Sequence, residues 1–243
     1  MPSVALVATL VEPPPPPPVT VTRLVLIRHG QSMATVQGLA GGDRGCGGLT
    51  GLGVAQAEAL SRRLVATGEL AEVAVLVAST LPRAVQTAEV IAPALGDLEI
   101  ITDREVREME PGEGDGLTWA EWEERYGSFD VAVEPYRPLS PGGESWADFG
   151  LRVGRALERL AMDHAGLTVV VCCHGGVIEQ SISHGFGLPA QAPPGRHMDT
   201  VPNTSITEWL VDLVPGWPSR WRLVRFADAA HLDADGQPRP VWT

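Results

Sequence analysis

Three apolar runs in this chain end on residues able to handle charge. "LVLIRHG" stops at Arg28, His29 and Gly30, and "LTVVVCCHGG" at His174, Gly175 and Gly176. "VAVLVAS" ends at Ser79, and Arg83 follows one helical turn later. Guanidinium groups stay ionised, and their planar fork matches the oxygens of a phosphoryl group. A neutral imidazole is a competent nucleophile near neutral pH. Glycine where a strand turns into a helix lets the backbone approach a bound anion and bares the first N–H groups of the helix. Two arginines, two histidines and these glycines suit a phosphoryl group, provided the fold brings them to one place.

The elements between them are of the kind that would do so. Residues 23–28, 73–79 and 167–173 read as strands, the last with consecutive apolar residues as expected where both faces are covered. Residues 49–68 are predicted as a helix with Thr50 at its N-cap and Gly68 as its stop. A second helix is expected over 81–95 and a short strand over 98–102. A long amphipathic helix is expected over 145–166, where Ser145 and Asp148 form a capping box with Asp in place of Glu. Residues 204–212 and 221–226 alternate more, which suits antiparallel or edge strands. This β-α-β-α order predicts an α/β fold, a three-layer α/β/α sandwich around a mostly parallel sheet. In open sheets of that kind, sites form beyond the carboxyl ends of the strands. Arg28, His29, Ser79, Arg83 and His174 then share one rim although they are far apart in sequence.

The chain has 243 residues and a formal net charge of −12. Such an acidic protein is a poor partner for nucleic acid, whose phosphates need a basic face. A few converging arginines still hold a small anion, so a small phosphorylated metabolite is the expected partner. No apolar run approaches the roughly 20 residues that cross a bilayer, so no membrane partner is expected and a cytoplasmic location is. An odd count of three cysteines, two of them adjacent, agrees with reduced thiols. Residues 1–22, with Pro13 to Pro18, read as a proline-rich N-terminal extension in polyproline II form, a solvated tail rather than a ligand for an aromatic groove. Residues 23–243 form the domain, and residues 112–143, rich in Gly, Pro and Trp, read as an irregular insertion over one rim.

"RHGQS", "STLPRAVQTA", "REMEPGEGDG" and "CHGGVI" resemble, in order, the signature segments of the histidine phosphatase superfamily, the phosphoglycerate mutase-like proteins. "LTGLGVAQA", "PGGES" and "WRLVRFADAAHL" resemble further family segments, so the likeness runs from about Arg23 to Leu232. It implies a phosphoglycerate mutase-like fold and a phosphatase (a phosphoric monoester hydrolase) that acts on small phosphomonoesters without a cofactor or metal. His29 matches the family's nucleophile, which forms a phosphohistidine that water hydrolyses. Arg28, Arg83 and His174 match the residues that hold the phosphoryl oxygens. Gln31, Ser32, Thr35 and Gly175 fall in the segments expected to line that group. The family's acid matches Glu108, for which a sheltered position is expected. Glu105, Glu110 and Glu113 are rival positions; Val106 and Gly112 stand where the family's pattern around the acid favours Glu108.

Three departures from the family pattern concern the substrate pocket. Thr35 stands where Asn is often found, Cys46 where Asp is usual, and Gly114 where an aromatic is common. Cys172, Cys173, His174 and His29, with Cys46, would be a zinc set only at other spacings, and adjacent strand residues point to opposite faces. Both buried-strand thiols are expected to pack as small hydrophobes. His164, His184 and His197 have no evident partners, and His231 reads as structural. Trp119, Trp122 and Trp146 are expected to make a small core under the insertion, and Arg125 and Arg137 to be solvated. Alternatives to the phosphatase are a phosphoglycerate mutase-type transferase and a catalytically silent binding module on the same fold. A monomer or homodimer is expected.

Overall fold

The computed structural model describes residues 17–131, 133–189 and 201–239. Six strands form one sheet in the order β3-β2-β4-β1-β5-β6. They are β1 (Thr20–Arg28), β2 (Val73–Ser79), β3 (Ile100–Asp103), β4 (Thr168–Cys173), β5 (Ile206–Leu213) and β6 (Arg220–Asp228). β3, β2, β4 and β1 run parallel. β5 and β6 add antiparallel to the edge. The sheet is therefore mostly parallel, as the element order predicts. The antiparallel pair falls on the two segments whose apolar residues alternate.

Alternation along β1 and β4 divides the core. Leu24, Leu26, Val169, Val171 and Cys173 face Phe149, Val153 and Leu157 of α5 (Trp146–Asp163) and Val177 and Ile178 of α6 (Gly175–Gly185). Val25, Ile27, Val170 and Cys172 face Leu60 and Leu64 of α2 (Gly51–Thr67) and Ala88 and Ile91 of α3 (Pro82–Ile91). These are the three expected layers, and the adjacent thiols lie on opposite faces. Burial pushes the Cys172 thiol up to about 12. Both cysteines pack as small apolar residues.

Helix ends follow the local chemistry. Thr50 caps α2 by accepting from the Gly53 N–H, and Gly68 closes it in the left-handed region. Ser145 caps α5, and its hydroxyl bonds the Asp148 carboxylate at 2.6 Å. The helix expected over 81–95 ends at Ile91 and tightens into a 3-10 turn over Ala92–Leu95, because Pro93 has no N–H to continue the α-helical ladder. A short helix α1 (Met33–Gln37) follows the first strand.

Two boundaries differ from expectation. The strand β1 starts at Thr20, so residues 20–22 belong to the sheet and not to the extension. β5 is long enough to pair them, up to Thr20 with Leu213, and the buried Thr22 hydroxyl donates to the Ala161 carbonyl at 2.9 Å. The prolines from 13 to 16 lie outside the described residues. The insertion is not wholly irregular: it holds α4 (Trp119–Tyr126), started by a full capping box between Thr118 and Glu121. The three tryptophans do not share one core: Trp122 is buried in the insertion against Gly114, Tyr126 and the exposed Trp119, while Trp146 joins the main core beside Phe149. No helix among the described residues is long and apolar enough to cross a membrane.

Candidate active site

Parallel pairing of β1 with β4 sets Arg28 beside Cys173, so His29 and His174 leave the sheet side by side. Their ring centroids are 5.1 Å apart, edge to face. β2 flanks β4 on its other side and ends at Ser79, whose hydroxyl lies 2.7 Å from His174 Nε2. Arg83, in the first turn of α3, donates from Nε to His29 Nε2 at 3.1 Å and from Nη1 to the Gly41 carbonyl at 2.8 Å. One turn on, Thr87 accepts from the Gly30 N–H and donates to the Arg83 carbonyl, tying the loop after His29 to the helix of Arg83.

The hydrogen bonds of His29 select its tautomer. Nδ1 is 2.7 Å from the Gly30 carbonyl, which only accepts, so Nδ1 carries the proton. Nε2 then has a lone pair, which the Arg83 N–H now meets. Burial first, then the Arg83 and Arg28 guanidiniums, hold His29 well below the usual imidazole range. The same burial and the charges of Arg83 and Arg28 hold His174 low. Both rings are neutral at pH 7, and His29 offers a nucleophilic nitrogen aimed into a cationic surround.

Glu108 leaves the sheet end at β3 and reaches the same rim. Its Oε2 accepts from the Gly176 N–H at 3.1 Å and its Oε1 from the Met109 N–H at 3.0 Å. It is half-buried. The contact two residues beyond His174 distinguishes it from its rivals. Glu110 instead pairs with Arg104. The Glu105 and Glu113 carbonyls serve Arg152 and Arg44. Gly176 makes room for the carboxylate, since a Cβ there would meet Glu108 and come within 2.9 Å of Phe149. Gly175 opens α6, with His174 as its N-cap residue.

The other expected residues serve the loop between them. Gln31 Oε1 accepts from the Thr50 hydroxyl at the start of α2. Ser32 caps α1, and the exposed Thr35 turns its hydroxyl to Ser32 at 2.9 Å. Cys46 lies half-buried in the neighbouring loop, its N–H on the Gly42 carbonyl. At Gly114 the aromatic ring comes from elsewhere: a Cβ would lie 2.6 Å from Cε3 of Trp122. Arg137 is committed to the insertion, over the Phe129 ring and on the Tyr126 carbonyl. His184 does have a partner, Glu158 at 2.9 Å. His197 lies outside the described residues.

Sequence reading missed the segment before β5. Asn203 Nδ2 donates to the His29 carbonyl, the Thr204 N–H to the Arg28 carbonyl, and Arg28 Nη1 to the Val201 carbonyl. Thr204 takes a φ of 55°, rare for a β-branched residue, and its hydroxyl meets His231 Nε2 at 2.8 Å. Only the tertiary pairing of β5 with β1 makes these residues legible.

A parallel-sheet rim bearing two neutral imidazoles and two guanidiniums is chemically a cradle for a phosphoryl group. The chain belongs to the histidine phosphatase superfamily (branch 1), whose family model matches residues 24–228. A metal-independent phosphoserine phosphatase of Arabidopsis thaliana is 33% identical over 224 residues, 89% of this chain and 85% of its own length. A 2,3-bisphosphoglycerate-dependent phosphoglycerate mutase of Brucella anthropi is 36% identical over 183 residues, 73% of this chain and 87% of its own. A solved mycobacterial glucosyl-3-phosphoglycerate phosphatase in complex with VO3 matches at a TM-score of 0.69 and 28% identity, over 84% of this chain and 98% of its own. A bifunctional protein of Mycobacterium tuberculosis is longer: 34% identical over 79% of this chain, which spans 52% of its length.

Proposed function

We propose that this chain is a phosphatase that hydrolyses small phosphomonoesters through a phosphohistidine on His29, with Glu108 as general acid and base. The observation that carries this reading is the hydrogen-bonded state of His29: Nδ1–H on the Gly30 carbonyl, Nε2 facing the Arg83 guanidinium. On binding of an ester, the Arg83 N–H moves from Nε2 to a phosphoryl oxygen and frees the lone pair. Nε2 attacks phosphorus in line as the bond to the alcohol oxygen breaks, and that oxygen takes a proton from Glu108. Arg28, Arg83 and His174 balance the charge on the equatorial oxygens, the main requirement of phosphoryl transfer. Water then attacks the phosphohistidine and gives its proton to the Glu108 carboxylate. The P–N bond breaks, releasing phosphate and His29. The phosphatases among the relatives support hydrolysis.

The test is a panel of phosphate esters assayed for phosphate release with His29→Ala as blank. His29→Ala is expected to lower kcat by about a thousandfold or more while circular dichroism stays that of the native fold. Labelled ester, quenched in alkali, traps phosphate on the native chain only. Absence of turnover by the native chain on every ester between pH 4 and 8 defeats the proposal and favours a silent module. The mutase relative carries the second reading; isomerised phosphoglycerate without free phosphate would establish it.

A further inference from the structure

Arg107, next to Glu108, opens the segment "REMEPGEGDG" but carries no role in the site described so far. It is buried at the rim, its side chain 4% exposed, and its charge reaches His174. Two half-buried arginines elsewhere have every guanidinium nitrogen matched by partners. Arg152 chelates Glu144 and gives its other N–H groups to the carbonyls of Glu105, Arg107 and Glu108. Arg63 spans Glu69 and Asp228 with four hydrogen bonds. Arg107 is held differently. Its Nη2 meets one oxygen of Asp43 at 2.7 Å, and the Asp43 side chain is 71% exposed. Glu110 stands 3.9 Å from Nη1, and the buried Nε has no hydrogen-bond partner.

The loop that carries Asp43 closes on the same site. Its Gly41 carbonyl holds Arg83 Nη1, and its Gly42, Arg44 and Gly45 N–H groups grip the Asp115 carboxylate. A carboxylate mostly in water loses little on leaving its partner, whereas a buried guanidinium left bare loses much. Asp43 is therefore exchangeable, but only for another anion. The Arg107 charge acts on His174, and the loop of its partner Asp43 also holds Arg83, so the guanidinium borders the pocket in which the alcohol of an ester bound at His29 would lie.

We infer that Arg107 is a second anion subsite that selects phosphate esters bearing a carboxylate on the alcohol, and that Asp43 is the internal carboxylate such a substrate displaces. This rests on the phosphatase reading and names the substrate class of that site. The carboxylate is favoured because a carboxylate already fits the guanidinium there.

The test compares kcat/KM for O-phosphoserine with that for O-phosphoethanolamine, which lacks only the carboxylate, and repeats it with 3-phosphoglycerate and glycerol 3-phosphate. The native chain is expected to prefer the carboxylated member of at least one pair by about tenfold or more, the scale of one charge-assisted contact. Arg107→Gln is expected to remove most of that preference. Asp43→Asn is expected to raise it about threefold or more by removing the competitor. An Arg107→Gln variant slower on both members of a pair, with the preference kept, overturns the inference and leaves Arg107 a structural residue. Should that variant not fold, Asp43→Asn decides alone: an unchanged or lower preference overturns it. Turnover of aryl phosphate by the native chain without preference in either pair refutes the inference and leaves the phosphatase standing. No turnover of any ester refutes the phosphatase itself.

Discussion

At the residue scale, the chemistry depends on keeping two imidazoles neutral next to guanidiniums. Burial is the largest cause of the depression at His29, and Arg83 and Arg28 add to it. A histidine so depressed keeps its lone pair at acidities where an exposed imidazole has lost it. The sign for the proposed activity follows: protonation of Nε2 would remove the proposed nucleophile, so the rate is expected to fall as pH drops through the lowered value. The acid limb of kcat/KM, which reports the free enzyme, is expected well below pH 6.5, the ordinary imidazole value. In Arg83→Gln the overall rate falls, and the limb of the residual activity moves upward because one repelling cation is gone. A native limb at or above pH 6.5 contradicts the neutral-imidazole account.

At the element scale, the start of α6 carries both His174 and the glycine that seats Glu108. An added methyl at Gly176 would push into Glu108 and Phe149. If Glu108 is the acid proposed above, displacing it by about 1 Å costs up to about 100-fold, so Gly176→Ala is expected to lower kcat by about ten- to a hundredfold. The loss falls unevenly. Alkyl esters, whose departing oxygen needs a proton, suffer more than p-nitrophenyl phosphate, whose oxygen leaves without one. Equal loss on both esters would remove Glu108 from the acid role. This rim was legible in sequence because each strand announced its end: apolar runs stopped at Arg28, Ser79 and Cys173, and the topology rule put those ends together. Caps at Thr50 and Ser145 were readable for the same local reason. The capping box at Thr118 was equally local, but the surrounding glycines and prolines hid the helix. Asn203, Thr204 and the Arg107–Asp43 pair could not be read, since their partners lie across the fold and no spacing joins them.

At the scale of the whole molecule, burying histidines makes stability depend on pH. His231 is buried under the β5–β6 edge against Thr204, and burial, then the Arg63 charge, brings it down to about 4. His29 and His174 are depressed in the same direction. Unfolding returns each ring to its ordinary value near 6.5. Between the two values the unfolded chain binds more protons than the folded one, so stability is complete above pH 6.5 and falls as pH drops through that window. The displacement at His231 amounts to about 3 kcal/mol by pH 4, and about 2 kcal/mol of it has gone by pH 5. Carboxylates act lower down. Asp228, brought to about 2 mainly by Arg63, has an unfolded value of 3.8, so it stays ionised in both states through most of the histidine window. Urea unfolding between pH 7 and 5 therefore reports mainly the imidazoles, with Glu69 and Glu158, held below their ordinary 4.5, entering only near its lower end. The native chain is expected to lose stability steadily below pH 6.5. His231→Asn, which keeps a polar group beside the Thr204 hydroxyl and removes the titrating ring, is expected to show a shallower slope by about one proton's worth, 1.4 kcal/mol per pH unit at most. An identical slope in both chains means that His231 is not neutral in the fold, and that Thr204 and the Arg28 carbonyl it supports are held by an imidazolium instead.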